Sequence, residues 1–262
     1  MNNFAGSGAE KRCLLCECTA AKKINDDLAC LEFFWTGPIP RAGQFFLVKP
    51  SRTSGFLARP FSVFSYKAAD AVGKPGTISF LILIQGRGSS ELIEFRVGET
   101  AELIGPLGNS WASVFSDESP VALVSGGVGI APLAFFAEEL SKEKKIQFDF
   151  YAGFRSQSFG LPQITSARSI IIASEDGSEG SKGRILDFFD PSQYKAVYIC
   201  GPEAMLIAAA KKCEGTPCFI SMEKHMACGT GACLGCTIKT KNGNKRCCSD
   251  GPIFNAEEIC FE

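Results

Sequence analysis

The sequence lacks the features that would place it in a membrane or export it. No run approaches the roughly 18 to 20 apolar residues of a membrane-spanning helix. Residues 1–11, MNNFAGSGAEK, lack the apolar core of a secretory signal. The formal net charge is only −1, from 27 basic and 28 acidic residues. We therefore expect a cytoplasmic protein whose partners include neither nucleic acid nor a membrane.

Histidine is almost absent, and no internal repeat or low-complexity tract is present. The only histidine, His225, has no nucleophile or acidic partner evident nearby, so we expect it to have a structural role. The chain of 262 residues is long enough for two ordinary domains, or for two domains and a small module.

Cysteine, in contrast, is abundant. Thirteen cysteines would suggest a disulfide framework in a short secreted chain. Here the chain is long, the count is odd and no export signal is recognised. In a reducing compartment a local cluster of thiols indicates a metal site instead.

The pattern of apolar residues divides the chain into three parts and predicts a multidomain α+β fold. Short runs rich in aromatic and β-branched residues, such as LACLEFFW and RPFSVFSY, predict an antiparallel β-barrel or sandwich over residues 1–115. Strands alternating with helices predict an α/β domain with a parallel sheet over residues 116–215. The cysteine-rich remainder, residues 216–262, forms a small third domain.

The stretch MACGTGACLGC supplies the most specific motif. Cys228, Cys233 and Cys236 give the spacing C-x4-C-x2-C, followed by a more distant cysteine, and this is the plant-type spacing for a [2Fe-2S] cluster. The interleaved glycines let the backbone come close and direct N–H groups at the sulfurs. The fourth ligand is either Cys247 or Cys248, because neighbouring residues of an extended chain point to opposite sides.

Two other interpretations of the cysteines are a structural zinc site and unligated thiols. Structural zinc sites usually combine two C-x2-C pairs of ligands, and this loop has only one such pair. A second group, Cys13, Cys16 and Cys18, is followed by no other closely spaced pair of cysteines, only by the solitary Cys30. We interpret these four as core or surface thiols of strands.

Two weaker signals indicate nucleotides. In VALVSGGVGIAPLAFF a strand, a glycine-rich turn and a helix follow one another, so Gly126, Gly127 and Gly129 would let a pyrophosphate approach the N–H groups at the helix start. Such turns also serve packing alone. Arg59 beside Ser62 is the other signal, since an unpaired inward guanidinium is unfavourable and an anionic ligand would resolve it. A surface-facing arginine is the alternative.

Taken in order, these segments resemble the ferredoxin reductase superfamily. R-P-F-S is similar to its FAD motif, while G-G-V-G-I-A-P and C-G-P are similar to its nicotinamide segments. The cysteine loop followed by C-S-D-G-P-I-F resembles the iron-sulfur electron-transfer subunits of dihydroorotate dehydrogenase B. This resemblance covers nearly the whole chain, from about Cys13 to Phe254.

The resemblance implies the cofactors and the residues that hold them. Arg59 would meet the FAD pyrophosphate and Ser62 would lie near the isoalloxazine. The implied FAD residues are Arg59, Pro60, Phe61, Ser62, Leu81, Ile82, Leu83, Gly88 and Ser89. The implied NAD residues are Gly127, Val128, Gly129, Cys200, Gly201 and Pro202. The C-x-D-G-P pattern selects Cys248 as the fourth cluster ligand, so the implied cluster ligands are Cys228, Cys233, Cys236 and Cys248.

The resemblance also implies a partner, an FMN-containing dihydroorotate dehydrogenase catalytic subunit, with electrons passing from dihydroorotate through FMN, the cluster and FAD to NAD. Two other functions stay open from the residues. One is a reductase of the same superfamily that serves a ferredoxin or a hydrogenase-type subunit. The other is a zinc-binding interaction module without enzymatic activity. Arg155 and Ser156 leave NADP conceivable, although the resemblance favours NAD.

Overall fold

The computed structural model describes residues 10–52, 55, 57–70, 75–111, 120–143 and 146–261. Six strands come first: β1 (Arg12–Asn25), β2 (Leu28–Trp35), β3 (Phe45–Pro50), β4 (Arg59–Lys67), β5 (Gly76–Leu83) and β6 (Thr100–Leu107). They close into an antiparallel barrel in the order β1-β2-β5-β4-β3-β6. Aromatic side chains such as Phe33, Phe46 and Phe80 fill its interior in tilted and edge-to-face pairs.

A seven-stranded sheet forms the second half of the molecule. Its strands are β7 (Val121–Gly126), β8 (Phe148–Phe154), β9 (Ser169–Ser174), β10 (Ser181–Lys182), β11 (Ala196–Cys200), β12 (Cys218–Ser221) and β15 (Ile253–Asn255). The order is β10-β9-β8-β7-β11-β12-β15, and every pair is parallel except β12 with β15. Strand β7 is buried along its whole length because the sheet covers both of its edges and helix and barrel residues pack on its faces.

The described residues also contain three α-helices and a separate two-stranded sheet. These are α1 (Arg87–Ile93), α2 (Ile130–Glu143), α3 (Glu203–Lys212) and the hairpin of β13 (Thr237–Thr240) with β14 (Gly243–Arg246). None of the described helices is long and apolar enough to span a membrane.

The three parts of the chain are packed against one another. Helix α2 lies against barrel strand β4, and its Glu139 accepts a hydrogen bond from the Ala42 backbone at 2.9 Å. Asn109, just after β6, bonds both backbone groups of Ile253 in β15, at 2.8 and 3.0 Å. Leu47 of β3 shares a core with residues of the cysteine loop. The barrel, the sheet and the loop therefore hold fixed relative positions.

The predicted fold class is confirmed, with an antiparallel barrel, a parallel sheet and a C-terminal cysteine-rich segment. The sequence did not predict that β12 and β15, which flank that segment, would join the sheet. The predicted boundary at residues 115/116 lies outside the described residues. The boundary at 215/216 stays a prediction.

Candidate functional site

The cysteine loop between β12 and β13 directs backbone N–H groups at its sulfur atoms. Cys228 Sγ accepts hydrogen bonds from the N–H groups of Thr230 and Cys233, both at 3.4 Å. Across the site, Cys236 Sγ accepts from the N–H of Cys248 at 3.4 Å. These N–H donors lower the pKa of Cys228 to about 5, because they stabilise the thiolate. Cys228 is therefore prepared for the deprotonated form that binds metal, whereas burial raises the pKa of Cys248 to about 12.

The four predicted ligands lie as two pairs. The side chains of Cys228 and Cys233 hydrogen-bond each other, and so do those of Cys236 and Cys248. Among the described residues, no three His, Cys, Asp or Glu side chains converge on one point as ligands of a single ion. A [2Fe-2S] cluster takes two thiolates on each iron. The paired arrangement fits that cluster.

The two neighbouring cysteines at the end of the loop face different surroundings. Cys247 is fully buried, and its thiol donates to the Met222 carbonyl at 3.0 Å. Cys248 instead pairs with Cys236, and the Gly231 backbone also hydrogen-bonds it. The geometry supports Cys248 as the fourth ligand and makes Cys247 a core residue beside β12.

Two glycines of the loop are required by close contacts. Gly229 has φ +67°, and a Cβ there would lie 2.7 Å from Leu47 Cδ1 in the barrel. Gly231 has φ +86°, and a Cβ there would lie 2.8 Å from Ser249 Oγ. Side chains at these positions would push the loop away from the barrel and from the turn that carries Cys248.

The two predicted FAD segments meet at the mouth of the barrel. A Cβ on Gly88 would lie 2.2 Å from Arg59 Nε, so the guanidinium rests directly on the glycine. The same guanidinium donates to the Leu57 carbonyl. Ser89 turns inward and accepts from the N–H groups of Gln85 and Gly86, at 2.8 and 3.2 Å. Arg59 is thus held beside a tight turn where a phosphate could reach it.

The rest of the predicted FAD residues line a gap between two strands. Pairing of β4 with β5 ends at Val63 and Phe80, so Arg59–Ser62 and Leu81–Leu83 diverge. Pro60, Phe61 and Ser62 are partly buried, whereas the side chains of Leu81 and Ile82 are buried. Leu81 and Ile82 could therefore contact a cofactor only through their backbone.

The predicted NAD residues lie together at the carboxyl edge of the sheet. A Cβ on Gly129 would lie 2.3 Å from Cys200 O, so the turns after β7 and β11 touch. Gly127 has φ +53° and faces open space, Val128 packs partly against the core, and Pro202 begins α3. Chain order reverses between β7 and β11, and in open α/β sheets ligands bind at such a switch point.

Comparison with known proteins agrees with this geometry. The family model for the iron-sulfur cluster binding domain of dihydroorotate dehydrogenase B matches residues 223–260. The dihydroorotate dehydrogenase B (NAD(+)) electron transfer subunit of Clostridium acetobutylicum is 40% identical over 222 residues, which cover 84% of this chain and 86% of that protein. That of Clostridium perfringens is 41% identical over 224 residues, covering 84% and 87%. The chain belongs to the family of dihydroorotate dehydrogenase B electron transfer subunits.

Solved structures give the same fold. A structure of NADH-dependent reduced ferredoxin-NADP oxidoreductase superposes with a TM-score of 0.77 at 25% identity, covering 94% of this chain and 90% of that one. Phthalate dioxygenase reductase superposes with a TM-score of 0.61 at 17% identity, covering 87% of each chain. The predicted family and fold are thus confirmed. A subunit of dihydroorotate dehydrogenase B works with a catalytic partner subunit and NAD.

The sequence reasoning missed a charged pair beside the cluster ligands of this electron transfer subunit. Arg246 ends β14 and forms hydrogen bonds to Asp250, through Nε to Oδ2 at 3.0 Å and Nη2 to Oδ1 at 3.1 Å. Its Nη1 reaches the Gly231 carbonyl at 3.5 Å. The i,i+4 spacing of an arginine and an aspartate around the two cysteines was the available signal.

Glu223 was also missed, and no motif marks it. It follows β12 at the carboxyl edge of the sheet, between the turn at Cys200 and the cysteine loop. Its side chain is exposed at the surface, but the protein packed around it still raises the pKa of the carboxyl by desolvation. Its charge adds to burial, the larger cause, in raising the pKa values of Cys200 and Cys247. His225, two residues further on, is exposed.

Proposed function

We propose that this chain passes electrons between an FMN-containing dihydroorotate dehydrogenase subunit and NAD, in pyrimidine biosynthesis, through a [2Fe-2S] cluster and FAD. The observation that carries the proposal is the arrangement of Cys228, Cys233, Cys236 and Cys248 in two hydrogen-bonded pairs. The relatives named above are electron transfer subunits with NAD(+) in their names. The chain is accordingly an oxidoreductase subunit.

Each cofactor has residues that suit it. Arg59, resting on Gly88, would bind the FAD pyrophosphate, and the gap between β4 and β5 would admit the flavin ring. The turns at Gly127 and Cys200 would orient the nicotinamide nucleotide. A bound flavin supplies the exchange between two-electron hydride transfer and one-electron transfer. The chain's own residues would bind these cofactors and hold them in position for electron transfer.

The cluster segment lies where electrons would leave the chain. Cys233 is exposed, and the neighbouring Leu234 side chain is 61% exposed. The barrel, the sheet edge and the loop account for FAD, NAD and the cluster. We therefore assign dihydroorotate oxidation, with its FMN and its proton-abstracting base, to the partner subunit, and we place the contact at the cysteine loop.

Co-purification tests this function. The tagged chain is expressed together with the FMN-type catalytic subunit and alone, and flavins, iron and NAD reduction are measured. We expect a yellow-brown complex that contains FMN and FAD and reduces NAD with dihydroorotate, while the chain alone holds FAD and iron but does not oxidise dihydroorotate. Full dihydroorotate oxidation by the chain alone would refute the assignment of that reaction to the partner subunit. A colourless protein that binds zinc would refute the cofactor assignment.

A second function has one observation in its favour. The superposed NADH-dependent reduced ferredoxin-NADP oxidoreductase aligns with 94% of this chain. A ferredoxin or hydrogenase-type partner would use the same exposed loop. Rapid NAD reduction by reduced ferredoxin, together with no activity when the FMN subunit and dihydroorotate are supplied, would favour this alternative.

A further inference from the structure

We propose that Arg246 is a positioning residue of the iron-sulfur site that also raises the reduction potential of the cluster, and that Asp250 fixes the guanidinium and offsets part of its charge. This inference rests on the proposed cluster. It concerns two residues that no cofactor motif includes, and it assigns them opposite effects on a measurable property.

Arg246 tethers two chain segments of the site. The cysteine loop and the turn that carries Cys248 are separate segments, and Arg246 reaches from one to the other. Its Nη1 lies 3.5 Å from the Gly231 carbonyl, and a Cβ on Gly231 would stand only 3.3 Å from that nitrogen. Gly231 in turn hydrogen-bonds Cys248 through its backbone. Arg246 therefore spans the two chain segments that supply the ligands.

Asp250 holds the guanidinium of Arg246 in a fixed orientation. Asp250 accepts from the Arg246 backbone N–H at 2.7 Å and from two nitrogens of its side chain, at 3.0 and 3.1 Å. The Asp250 N–H donates back to the Arg246 carbonyl at 2.8 Å. This closed ring of hydrogen bonds leaves Nη1 facing the loop. A planar guanidinium held by two of its edges is more fixed than an ammonium would be.

Arg246 also brings a positive charge to the site. Arg246 lies two positions before Cys248 in the chain, and its Nη1 is 3.5 Å from the carbonyl of Gly231, whose backbone hydrogen-bonds Cys248. The guanidinium therefore lies close to one pair of predicted ligands. A one-electron reduction adds one unit of negative charge to the cluster. A nearby positive charge favours the reduced state, and hydrogen bonds and net charge set such potentials.

A surface ion pair is the simpler interpretation, since the side chains of Arg246 and Asp250 are 42% and 31% exposed. Exposed pairs contribute little to stability. A pair of that kind would leave the potential unchanged when either partner is removed. Strand β14 offers a matched control, because Lys245 is adjacent, points to the other side of the strand, pairs with Glu258 at 2.7 Å and lies over the Phe254 ring.

The experiment is a redox titration of the purified complex, followed by the electron paramagnetic resonance signal of the reduced cluster, for wild type, Arg246→Gln, Asp250→Asn and Lys245→Gln. We expect a more negative midpoint for Arg246→Gln, a more positive one for Asp250→Asn and no shift for Lys245→Gln. Both shifts should shrink at high salt, because the pair is partly exposed. Unchanged midpoints, or shifts of the same sign in both variants, would overturn the proposal.

A second measurement separates the tether from the charge. Arg246→Lys keeps the charge but loses the planar fork. We expect it to hold a midpoint nearer to wild type than Arg246→Gln does, and to lose iron faster to a chelator than wild type. Iron loss equal to wild type would contradict the tether. A wild-type complex without any reduced-cluster signal would refute the proposed function itself. A normal signal whose midpoint is the same in wild type and Arg246→Gln would refute only the role of Arg246.

Discussion

The barrel and the cysteine loop each carry a group of cysteines, and Cys228 of the loop has the opposite chemistry to the barrel thiols. In the barrel, burial raises the pKa values of Cys16, Cys18 and Cys30 to about 11. In the loop, backbone N–H groups lower the pKa of Cys228 to about 5. The barrel thiols keep their protons, while the loop presents a thiolate.

Burial is the larger cause in the barrel, and the direction of the hydrogen bonds differs as well. Cys16 and Cys18 donate to the carbonyls of Leu14 and Ala20, at 3.6 and 3.4 Å. Cys228 accepts from two N–H groups. In a barrel strand most backbone N–H groups are used by neighbouring strands, so few are left for sulfur. In the glycine-rich loop the backbone N–H groups are free of strand pairing, so they can donate to a cysteine sulfur and stabilise its thiolate.

The largest effect is expected when the thiol of a predicted cluster ligand, Cys248, is removed and compared with removal of the neighbouring Cys247 thiol. Cys248→Ser should abolish the cluster's visible absorption and its iron while FAD remains bound, because one iron loses half of its protein ligands. Cys247→Ser is the matched control and should keep both cofactors, since Cys247 faces the Met222 carbonyl. Iron and flavin content measure the result. The reverse pattern would show that the ligand is Cys247.

The second test compares thiol reactivity in protein freed of iron. At pH 7 we expect iodoacetamide to label Cys228 at least about tenfold faster than Cys16, Cys18 or Cys30, because the thiolate is the nucleophile. Labelling of Cys228 should rise through about pH 5 and then level off. Labelling of the barrel thiols should still be rising at pH 9. Peptide mass spectrometry gives the rates, and equal rates would contradict the comparison.

The same contrast shows how much the sequence could predict. The spacing of Cys228, Cys233 and Cys236 is local, so the sequence alone can propose a cluster site there. Strand periodicity predicted the barrel and the sheet. The tether from Arg246 to Gly231 joins residues 15 positions apart through a folded loop. No periodicity or motif encodes such a contact. Strand β15 was missed because three residues are too few to show alternation.

A smaller effect is expected when the loop's fit to the barrel is disturbed. Gly229→Ala adds a Cβ against Leu47 and imposes a left-handed backbone on alanine, which should destabilise the loop by about 2 kcal/mol. Iron per chain should fall. Gly243→Ala is the control, since Gly243 also has a positive φ, +99°, but nothing lies near its Cβ position. If Gly243→Ala loses as much iron, backbone strain alone explains the result and the contact with Leu47 does not matter.

The smallest effect concerns the barrel cysteines. Cys18 is fully buried, so Cys18→Ala should lower the free energy of unfolding by about 1 kcal/mol through lost packing. Cys13 is exposed on the same strand, so Cys13→Ala should change stability by less than about 0.5 kcal/mol. Neither variant should lose iron, as urea unfolding and iron analysis would show. Iron loss in Cys18→Ala would mean that the barrel thiols take part in the metal site, because the packing defect alone is too small to release four ligands.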